Sequence, residues 1–200
     1  MHTKFFAPFA PFAPFARFAS LALALGLAGN AHADFTQSYA PANWTLSNTN
    51  GGNGSVLANS STLTLNSSNF SDFNSAPLDP TTLSYSLLFN QASLLTFNWN
   101  YSTADDGGSS GDSFGYILDG VLHQLSLDGL FSDQSGTVSL LLAAGSTFGF
   151  ETTSLDSIFG GASTTVSNFN VNNVPEPGSL ALVFAGLLAV GGISRRRLQR

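Results

Sequence analysis

Hydrophobic and polar residues alternate along much of the chain between residues 34 and 173. In the segment LLTFNWNYS every second residue is apolar or aromatic, namely Leu95, Phe97, Trp99 and Tyr101. A period of two is typical of a strand that buries one face. The segments NWTLS, STLTLN, TLSYSLLF and TTVSNFNV predict further strands. No stretch of this region shows the 3.6-residue period of an amphipathic helix.

Two segments predict hairpins. SFGYILDGVLHQLSL contains Asp119–Gly120, a dipeptide that favours a two-residue turn between antiparallel strands. TVSLLLAAGSTFGFETT predicts a second hairpin that turns at Ala144–Gly145. Eight or so short strands joined by Gly, Asn, Asp and Ser turns predict an all-β domain, an antiparallel β-sandwich of jelly-roll type, over residues 34–173. The chain has no cysteine, so this domain must be stabilised by its core.

The N-terminal segment, residues 1–33, has the features of a secretory signal peptide. Lys4 and Arg17 precede the apolar run FASLALALGLAG, which is too short to span a bilayer. Ala31 and Ala33 occupy the −3 and −1 positions that signal peptidase accepts. Cleavage is therefore expected between Ala33 and Asp34.

The C-terminal segment is apolar and then basic. Leu180 to Ile193 carries no charge and as a helix would cover ~21 Å, against a hydrocarbon core of ~30 Å. Extended to about residues 178–194, it predicts a short transmembrane helix. The positive-inside rule keeps the basic tail 195–200 cytoplasmic, with Arg195, Arg196, Arg197 and Arg200. The domain between the two apolar ends is then outside the inner membrane.

These terminal residues resemble a known sorting signal. Val174, Pro175, Glu176 and Pro177, the apolar helix and the arginine cluster together resemble the PEP-CTERM sorting signal of Gram-negative bacteria, here residues 174–200 with the PEP motif at 175–177. The resemblance implies processing by an exosortase, a membrane protease-transpeptidase that recognises the motif and removes the tail. It also implies an association with exopolysaccharide and biofilm. The precursor would be anchored in the bacterial inner membrane, and the mature form would reside at the cell surface or in the extracellular matrix.

Charge is segregated along the chain. No Lys or Arg occurs between Arg17 and Arg195, whereas eleven of the twelve acidic residues lie between residues 34 and 173. Such a domain repels nucleic acid, whose binding depends on basic side chains that neutralise phosphates. The acidity either keeps a surface protein soluble or reflects carboxylates that are capped by backbone amides or bound to metal ions.

The residues that point to catalysis are few. The chain has no cysteine nucleophile, and His123, the only histidine after residue 33, lies within a predicted strand, where we expect a packing role. We therefore predict that the protein is not an enzyme. The alternative is a cleft in which carboxylates converge for glycoside hydrolysis, with Thr-, Ser- and Asn-rich strand faces and aromatic side chains that contact sugars. The carboxylates would be Asp105, Asp106, Asp112 and Glu151, and the aromatics Trp44, Trp99, Tyr101 and Tyr116, although Trp99 is expected in the core.

One loop contains several carboxylates. The segment ADDGGSSGDSFG, residues 104–115, places Asp105, Asp106 and Asp112 among glycines between two predicted strands. Calcium prefers oxygen ligands from carboxylates and carbonyls. Calcium is thus the one candidate cofactor, bound by these three side chains. The alternative is a flexible acidic hairpin loop without any cofactor.

Together these features predict an exported, non-enzymatic protein of the cell envelope or extracellular matrix, a structural or binding component linked to exopolysaccharide. The alternative function is a carbohydrate-binding module or a carbohydrate-active enzyme that acts on the matrix polysaccharide. Signal peptidase and exosortase are the expected processing partners, the inner membrane is a partner before processing, and nucleic acid is excluded.

Overall fold

A computed structural model describes residues 34–174 and residues 182–187, the latter as helix. None of the helices in these two ranges combines the length and the apolar character that a membrane crossing requires. The predicted signal peptide with Ala31 and Ala33, the PEP motif at 175–177, most of the predicted transmembrane helix and the arginine tail lie outside the described residues. The structure does not test those assignments, which remain predictions.

The described domain is a β-sandwich of two five-stranded antiparallel sheets. The first sheet has the order β1-β4-β9-β6-β7, and the second sheet has the order β2-β3-β10-β5-β8. The strands are β1 (Thr45–Asn48), β2 (Ser55–Ala58), β3 (Thr62–Asn66), β4 (Thr81–Phe89), β5 (Ser93–Thr103), β6 (Asp112–Leu118), β7 (Val121–Gln124), β8 (Gln134–Leu142), β9 (Ser146–Ser154) and β10 (Ala162–Asn173). Short 3₁₀ helices occur at Gln37–Tyr39, Pro41–Asn43, Phe73–Ser75 and Gly108–Ser110.

Most consecutive strands lie in opposite sheets, so the chain repeatedly crosses from one sheet to the other. This connectivity confirms the predicted antiparallel sandwich of jelly-roll type. The predicted β6–β7 hairpin is also confirmed. Its two turn residues, Asp119 and Gly120, have φ values of 51° and 82°, as the favoured type I′ turn requires.

The second predicted hairpin is wrong. A tight turn does occur at Ala144–Gly145, where Gly145 has a φ of 88°. However, β8 before the turn pairs with β5 in the second sheet, whereas β9 after it lies between β4 and β6 in the first sheet. The turn therefore carries the chain between sheets. A short turn between two apolar strands is compatible with either outcome, so the local pattern does not distinguish them.

Large side chains from both sheets fill the space between them. The alternation predicted for β5 is confirmed, because Leu95, Phe97, Trp99 and Tyr101 are all buried. Residues before β1 complete the core: Phe35 is buried and its ring stacks on Phe169 at 4.7 Å between centroids. The core is thus mainly aromatic, and it includes residues at the N-terminal end of the described domain.

Strand β10 contains an irregularity that preserves its buried face. Its register with β5 shifts between Ser167 and Asn170, and Asn168 adopts a φ of 50°. Val166 and Phe169 are both fully buried although they are three positions apart. A bulge adds one residue to one strand of a pair, and here it restores the inward direction for the second half of the strand.

Candidate functional site

The three carboxylates of the 104–115 loop do not occupy one site. Asp105 and Asp112 are buried, with exposed fractions of 5% and 0%, whereas Asp106 is exposed. Within residues 34–174 and 182–187, no group of three or more His, Cys, Asp or Glu side chains is placed to hold a metal ion. The predicted three-carboxylate arrangement is therefore corrected to a pair, Asp105 and Asp112, which we call the buried acidic pair.

The loop that carries this pair connects β5 in the second sheet to β6 in the first, so it is not a hairpin loop. Its 3₁₀ turn is held against the segment that precedes β8. The amide of Ser109 donates to the carbonyl of Leu130 at 2.9 Å, and the hydroxyl of Ser109 accepts from the amide of Leu130 at 3.0 Å. Gly108 and Ser109 are buried in this contact, whereas Asp106, Gly107 and Ser110 remain exposed.

Asp112 is the first residue of β6 and its side chain lies on the inner side of the sheet, as does that of Phe114. Neither carboxylate oxygen of Asp112 has a hydrogen-bond partner within the described residues. Burial raises the pKa of Asp112 to about 6; the hydroxyl of Ser154 opposes this effect, the charge of Asp105 adds to it, and the hydroxyl of Ser67 and the amide of Ala162 oppose it further. Asp112 is thus a carboxyl group that the fold removes from water without giving it a charged partner.

Asp105 is held against the glycines of its own loop. Its Oδ1 accepts a hydrogen bond of 2.6 Å from the amide of Gly107, while its Oδ2 is buried without a partner. A Cβ at Gly111 would lie 2.1 Å from Oδ1 of Asp105, so only glycine leaves room for this carboxylate. Because Gly111 immediately precedes Asp112, this contact brings the two members of the acidic pair together. Burial also raises the pKa of Asp105.

A second loop, residues 155–161, covers the pair. Ser157 and Phe159 have φ values of 58° and 63°, and Gly160 has a φ of 124°. The backbone of Gly160 approaches the loop so closely that a Cβ there would lie 2.1 Å from the carbonyl oxygen of Ala104. At Ser157 and Phe159 such a conformation is strained and persists only where the surrounding structure determines it, and here that structure includes the backbone of Ala104 and Asp105.

Tyr101 completes the surroundings of the pair. Its hydroxyl donates a hydrogen bond to the backbone carbonyl of Asp112. Burial, reinforced by the charges of Asp112 and Asp105, raises the pKa of Tyr101 to about 12. The phenol therefore stays protonated and remains a donor at any physiological pH. Tyr101, predicted as a possible sugar contact, instead ties β5 to the start of β6.

The burial of Asp112 predicts an unusual dependence of stability on pH in buffer that contains EDTA. The folded pKa of about 6 lies above the ordinary value of 3.8, so the folded state binds more protons than the unfolded state between these values. Stability should therefore rise as the pH falls from 7 towards 4, by up to ~3 kcal/mol. Asp105 contributes in the same direction. Urea titrations across this range measure the effect.

The matched control for this pH dependence is Asp112→Asn, which removes the titrating group. Its stability should change much less between pH 7 and pH 4 than that of the original protein. Stability that falls steadily on acidification in the original protein would contradict the expectation.

The outer face of the second sheet forms a distinct polar surface. Antiparallel register aligns Thr64, Thr165, Asn100 and Ser135 in one row across four strands, and Thr62, Ser167, Asn98 and Thr137 in the next. Hydrogen bonds link neighbours within each row: the Thr64 and Thr165 hydroxyls are 3.2 Å apart, and Thr137 donates to Asn98 at 2.9 Å. We call these two rows the polar face.

A cleft of about 240 Å³ opens at one end of the polar face. Seven polar side chains contribute to its lining: Asn100, Ser102, Asp133, Gln134, Ser135, Ser163 and Thr165. Hydroxyls, amides and a single carboxylate therefore converge on a space that is open to solvent. The sequence predicts these strands and their Thr-, Ser- and Asn-rich faces, but not the alignment of those faces into one surface, because the alignment depends on which strands are neighbours.

The remaining predicted residues have structural roles. Trp44 and Trp99 are buried, and the indole N–H of Trp44 donates to the carbonyl of Tyr39 at 2.9 Å. His123 lies on the edge strand β7 and its ring stacks on Tyr116 at 4.7 Å, which agrees with the packing role expected for it. The indole and phenol groups nominated for sugar binding are therefore engaged in packing.

The four carboxylates nominated for hydrolysis do not converge. Asp112 lies on the inner side of the first sheet, whereas Glu151 lies between the buried Phe150 and Thr152 and is directed to the outer side. Asp106 is exposed on the loop. Side chains alternate between the two faces of a sheet, so Asp112 and Glu151 cannot face the same cleft.

The end of β10 shows where the sorting segment begins. The amide of Val174 donates to the carbonyl of Ala92 at 2.8 Å, so the chain is bound to the sandwich up to the residue before Pro175. Beside this end lies a cleft of about 770 Å³ whose lining includes Tyr39, Phe89 and Asn173. The folded domain therefore reaches the motif without an intervening linker.

Comparison with known families assigns the C-terminal segment. Residues 173–197 match the family described as the PEP-CTERM protein-sorting motif. The chain is therefore an exported β-sandwich protein that carries a PEP-CTERM sorting signal and is processed by an exosortase. The recognition made from Val174 to Pro177 and the segment after them is confirmed.

Comparison of the whole chain adds little. No curated protein matches its sequence. Two solved structures are similar in part. The first is TmCBM61 in complex with beta-1,4-galactotriose, at 9% identity and a TM-score of 0.38; the match covers 67% of this chain and 90% of the TmCBM61 chain. The second is the family 11 carbohydrate-binding module of the cellulosomal cellulase Lic26A-Cel5E of Clostridium thermocellum, at 8% identity and a TM-score of 0.35. This match covers 66% of this chain and 88% of the module's chain. At these values neither bears on what this chain binds.

Proposed function

We propose that the protein is a non-enzymatic component of the cell surface or extracellular matrix whose polar face contacts exopolysaccharide. Its precursor is held in the inner membrane by residues 178–194, with the arginine tail in the cytoplasm. Signal peptidase and the exosortase then release the sandwich, residues 34–173, to the outside. The polar face is the observation that carries this proposal, and the sorting signal supplies the location.

The chemistry of the polar face suits a sugar polymer. Two aligned rows of hydroxyl and amide groups present both donors and acceptors along the surface. Sugar hydroxyls require the same mixture of partners. Because residues 34–173 contain eleven carboxylates and no Lys or Arg, a polyanion would be repelled. The proposed ligand class is therefore a neutral polysaccharide.

Co-sedimentation with the extracellular polysaccharide purified from the exporting cells tests this proposal. We expect binding that weakens about thirtyfold in the double variant Asn100→Ala/Thr165→Val, since each of the two lost hydrogen-bonding groups contributes ~1 kcal/mol. The matched control is Ser84→Ala/Thr153→Val, which removes hydroxyls from the outer face of the first sheet. Equal binding by both variants, or no binding by the original protein, would overturn the polar face as the contact surface.

The same experiment addresses the carbohydrate-active alternative. Released reducing ends are measured while the polysaccharide is bound. Binding without product supports the non-enzymatic function. Product that accumulates with the original protein and is lost with Asp106→Asn would overturn the non-enzymatic function and support hydrolysis of the polysaccharide.

Processing should remove both apolar ends of the chain. We expect an intact mass that lacks residues 1–33 and the arginine tail, with final cleavage near residues 175–178. Because no Lys or Arg lies between Arg17 and Arg195, trypsin should leave the mature domain whole. Protein recovered from the surface that still carries residues 195–200 would contradict this processing. Alanine at Pro175, Glu176 and Pro177 should leave the precursor in the membrane fraction.

A further inference from the structure

Three carboxylate oxygens of the buried acidic pair accept no hydrogen bond of ordinary length and angle, although the hydroxyls of Ser154 and Ser67 are close enough to Asp112 to lower its pKa. They are Oδ2 of Asp105 and both oxygens of Asp112, and all three are removed from solvent. A buried polar atom without a partner costs about 1–3 kcal/mol, and more if it is charged. A folded domain that is stable by a few kcal/mol retains such groups only where something compensates for them.

The chain itself supplies no positive charge to compensate the pair. No Lys or Arg occurs between Arg17 and Arg195, so neither side chain exists anywhere in the described sandwich. His123 is stacked on Tyr116 in the edge strand β7, which pairs with the opposite end of β6 from Asp112. The neutralising group must come from outside the protein, and it is either a metal ion or a proton.

The surroundings of Asp112 are rich in oxygen. The hydroxyls of Ser67 and Ser154 lie beside its carboxylate. Each of these hydroxyl oxygens already accepts one amide, from Ala162 at 2.8 Å and from Ser157 at 3.0 Å, and so keeps one lone pair free. Two carboxylates and two hydroxyls from three segments of chain, namely the β5–β6 loop, the end of β9 and the segment after β3, therefore meet at one end of the sandwich.

From the three unpartnered oxygens of Asp105 and Asp112 and the hydroxyls around them, we infer that this pair binds one divalent cation, calcium, inside the fold. Calcium accepts six to eight oxygen ligands in irregular geometry, whereas magnesium demands a near-ideal octahedron. The described domain has no cysteine, and its one histidine lies elsewhere, so the ligand set excludes the softer metals. The ion links the β5–β6 loop to β9 and to the segment after β3.

This site differs from the one that the loop sequence suggests. Asp106 lies next to Asp105 in sequence but is exposed, and it takes no part in the pair. Asp106 therefore provides a matched control, since Asp106→Asn removes the same charge from the same loop but removes no ligand, and it acts on Asp105 only through that charge. Asp105→Asn and Asp112→Asn each remove a ligand while keeping the shape of the side chain.

The test uses the full-length chain in detergent, treated with EGTA and then titrated with calcium chloride at pH 7.5. We expect one calcium ion per chain by isothermal titration. The midpoint of thermal unfolding should rise by roughly 5–10 °C at a hundredfold excess over Kd. Magnesium chloride at the same concentration should have a much smaller effect. Asp106→Asn should respond as the original protein does, and Asp112→Asn and Asp105→Asn should not respond.

Terbium provides a second measurement that does not depend on stability. Because the hydroxyl of Tyr101 bonds to the backbone carbonyl of Asp112, an ion at the pair lies close to that ring, and excitation of tyrosine should sensitise terbium emission. Calcium should displace the terbium. Emission that survives in Asp112→Asn and disappears in Asp106→Asn would assign binding to the loop surface and overturn the inference.

A proton is the competing occupant. If it neutralises the pair, the unfolding midpoint at pH 7.5 will be the same in calcium and in EGTA, no heat of binding will be measured, and acidification alone will stabilise the protein. That set of results would overturn the calcium site.

Discussion

Replacing Phe150 with alanine should lower the free energy of unfolding by about 3–5 kcal/mol, the usual cost of removing a fully buried aromatic ring. Phe150 is 0% exposed and lies at the centre of the aromatic core. Ring centroids of four neighbours lie within 6.3 Å of its own: Trp44 at 5.8 Å, Phe97 at 5.1 Å, Phe148 at 5.1 Å and Phe169 at 6.3 Å. The domain has no disulfides, so its stability depends on this core, and no cross-link offsets the lost packing of Phe150.

Urea unfolding followed by tryptophan fluorescence measures this effect, since both tryptophans of the chain are buried. The control is Phe73→Ala, which deletes the same ring from a site that is 68% exposed. We expect this control to change the free energy of unfolding by no more than about 0.5 kcal/mol. Similar losses in the two variants would show that the aromatic core does not hold the sandwich together.

Gly160→Ala should be comparably damaging, with a loss of about 3 kcal/mol or more in the free energy of unfolding. Two causes act together. A φ of 124° is one that L residues rarely adopt, and the new Cβ would lie 2.1 Å from the carbonyl oxygen of Ala104 and 2.6 Å from the amide nitrogen of Asp105. These are backbone atoms, so relief requires the 155–161 loop to move away from the acidic pair.

Gly145→Ala separates these two causes. Gly145 also has a positive φ, 88°, but a Cβ there would meet nothing within 4 Å. This variant should cost about 1 kcal/mol, from the left-handed conformation alone. The difference between the two glycines measures the close approach of the covering loop. Calcium binding provides a second readout, because Gly160→Ala should weaken it while Gly145→Ala leaves it unchanged.

The local pattern was informative where a strand and its turn interact mainly with each other. The alternation in β5 predicted which four side chains are buried, and Asp119–Gly120 predicted the β6–β7 hairpin, because both depend on a few adjacent residues. The short strand β2, Ser55–Ala58, was not predicted, since in its Gly- and Asn-rich surroundings four residues provide too short a pattern.

The remaining features of the fold depend on contacts between residues that are distant in sequence. The turn at Ala144–Gly145 looks the same whether it reverses within a sheet or crosses between sheets, and only the pairing of β8 with β5 and of β9 with β4 distinguishes the two. The spacing of Val166 and Phe169 was a visible signal for the bulge in β10. Its meaning depends on the register with β5, which is a tertiary property.

The candidate sites also divide into features that the sequence determines and features that only the tertiary structure determines. Sequence alone determined the sorting signal, because an exosortase reads a short linear motif, and it determined the absence of basic residues from the sandwich, because that is composition. Only the tertiary structure separated Asp106 from Asp105 and Asp112, and only strand order assembled the polar face. The physical reason is that burial and alignment depend on which segments pack together, and folding chooses those segments from opposite parts of the chain.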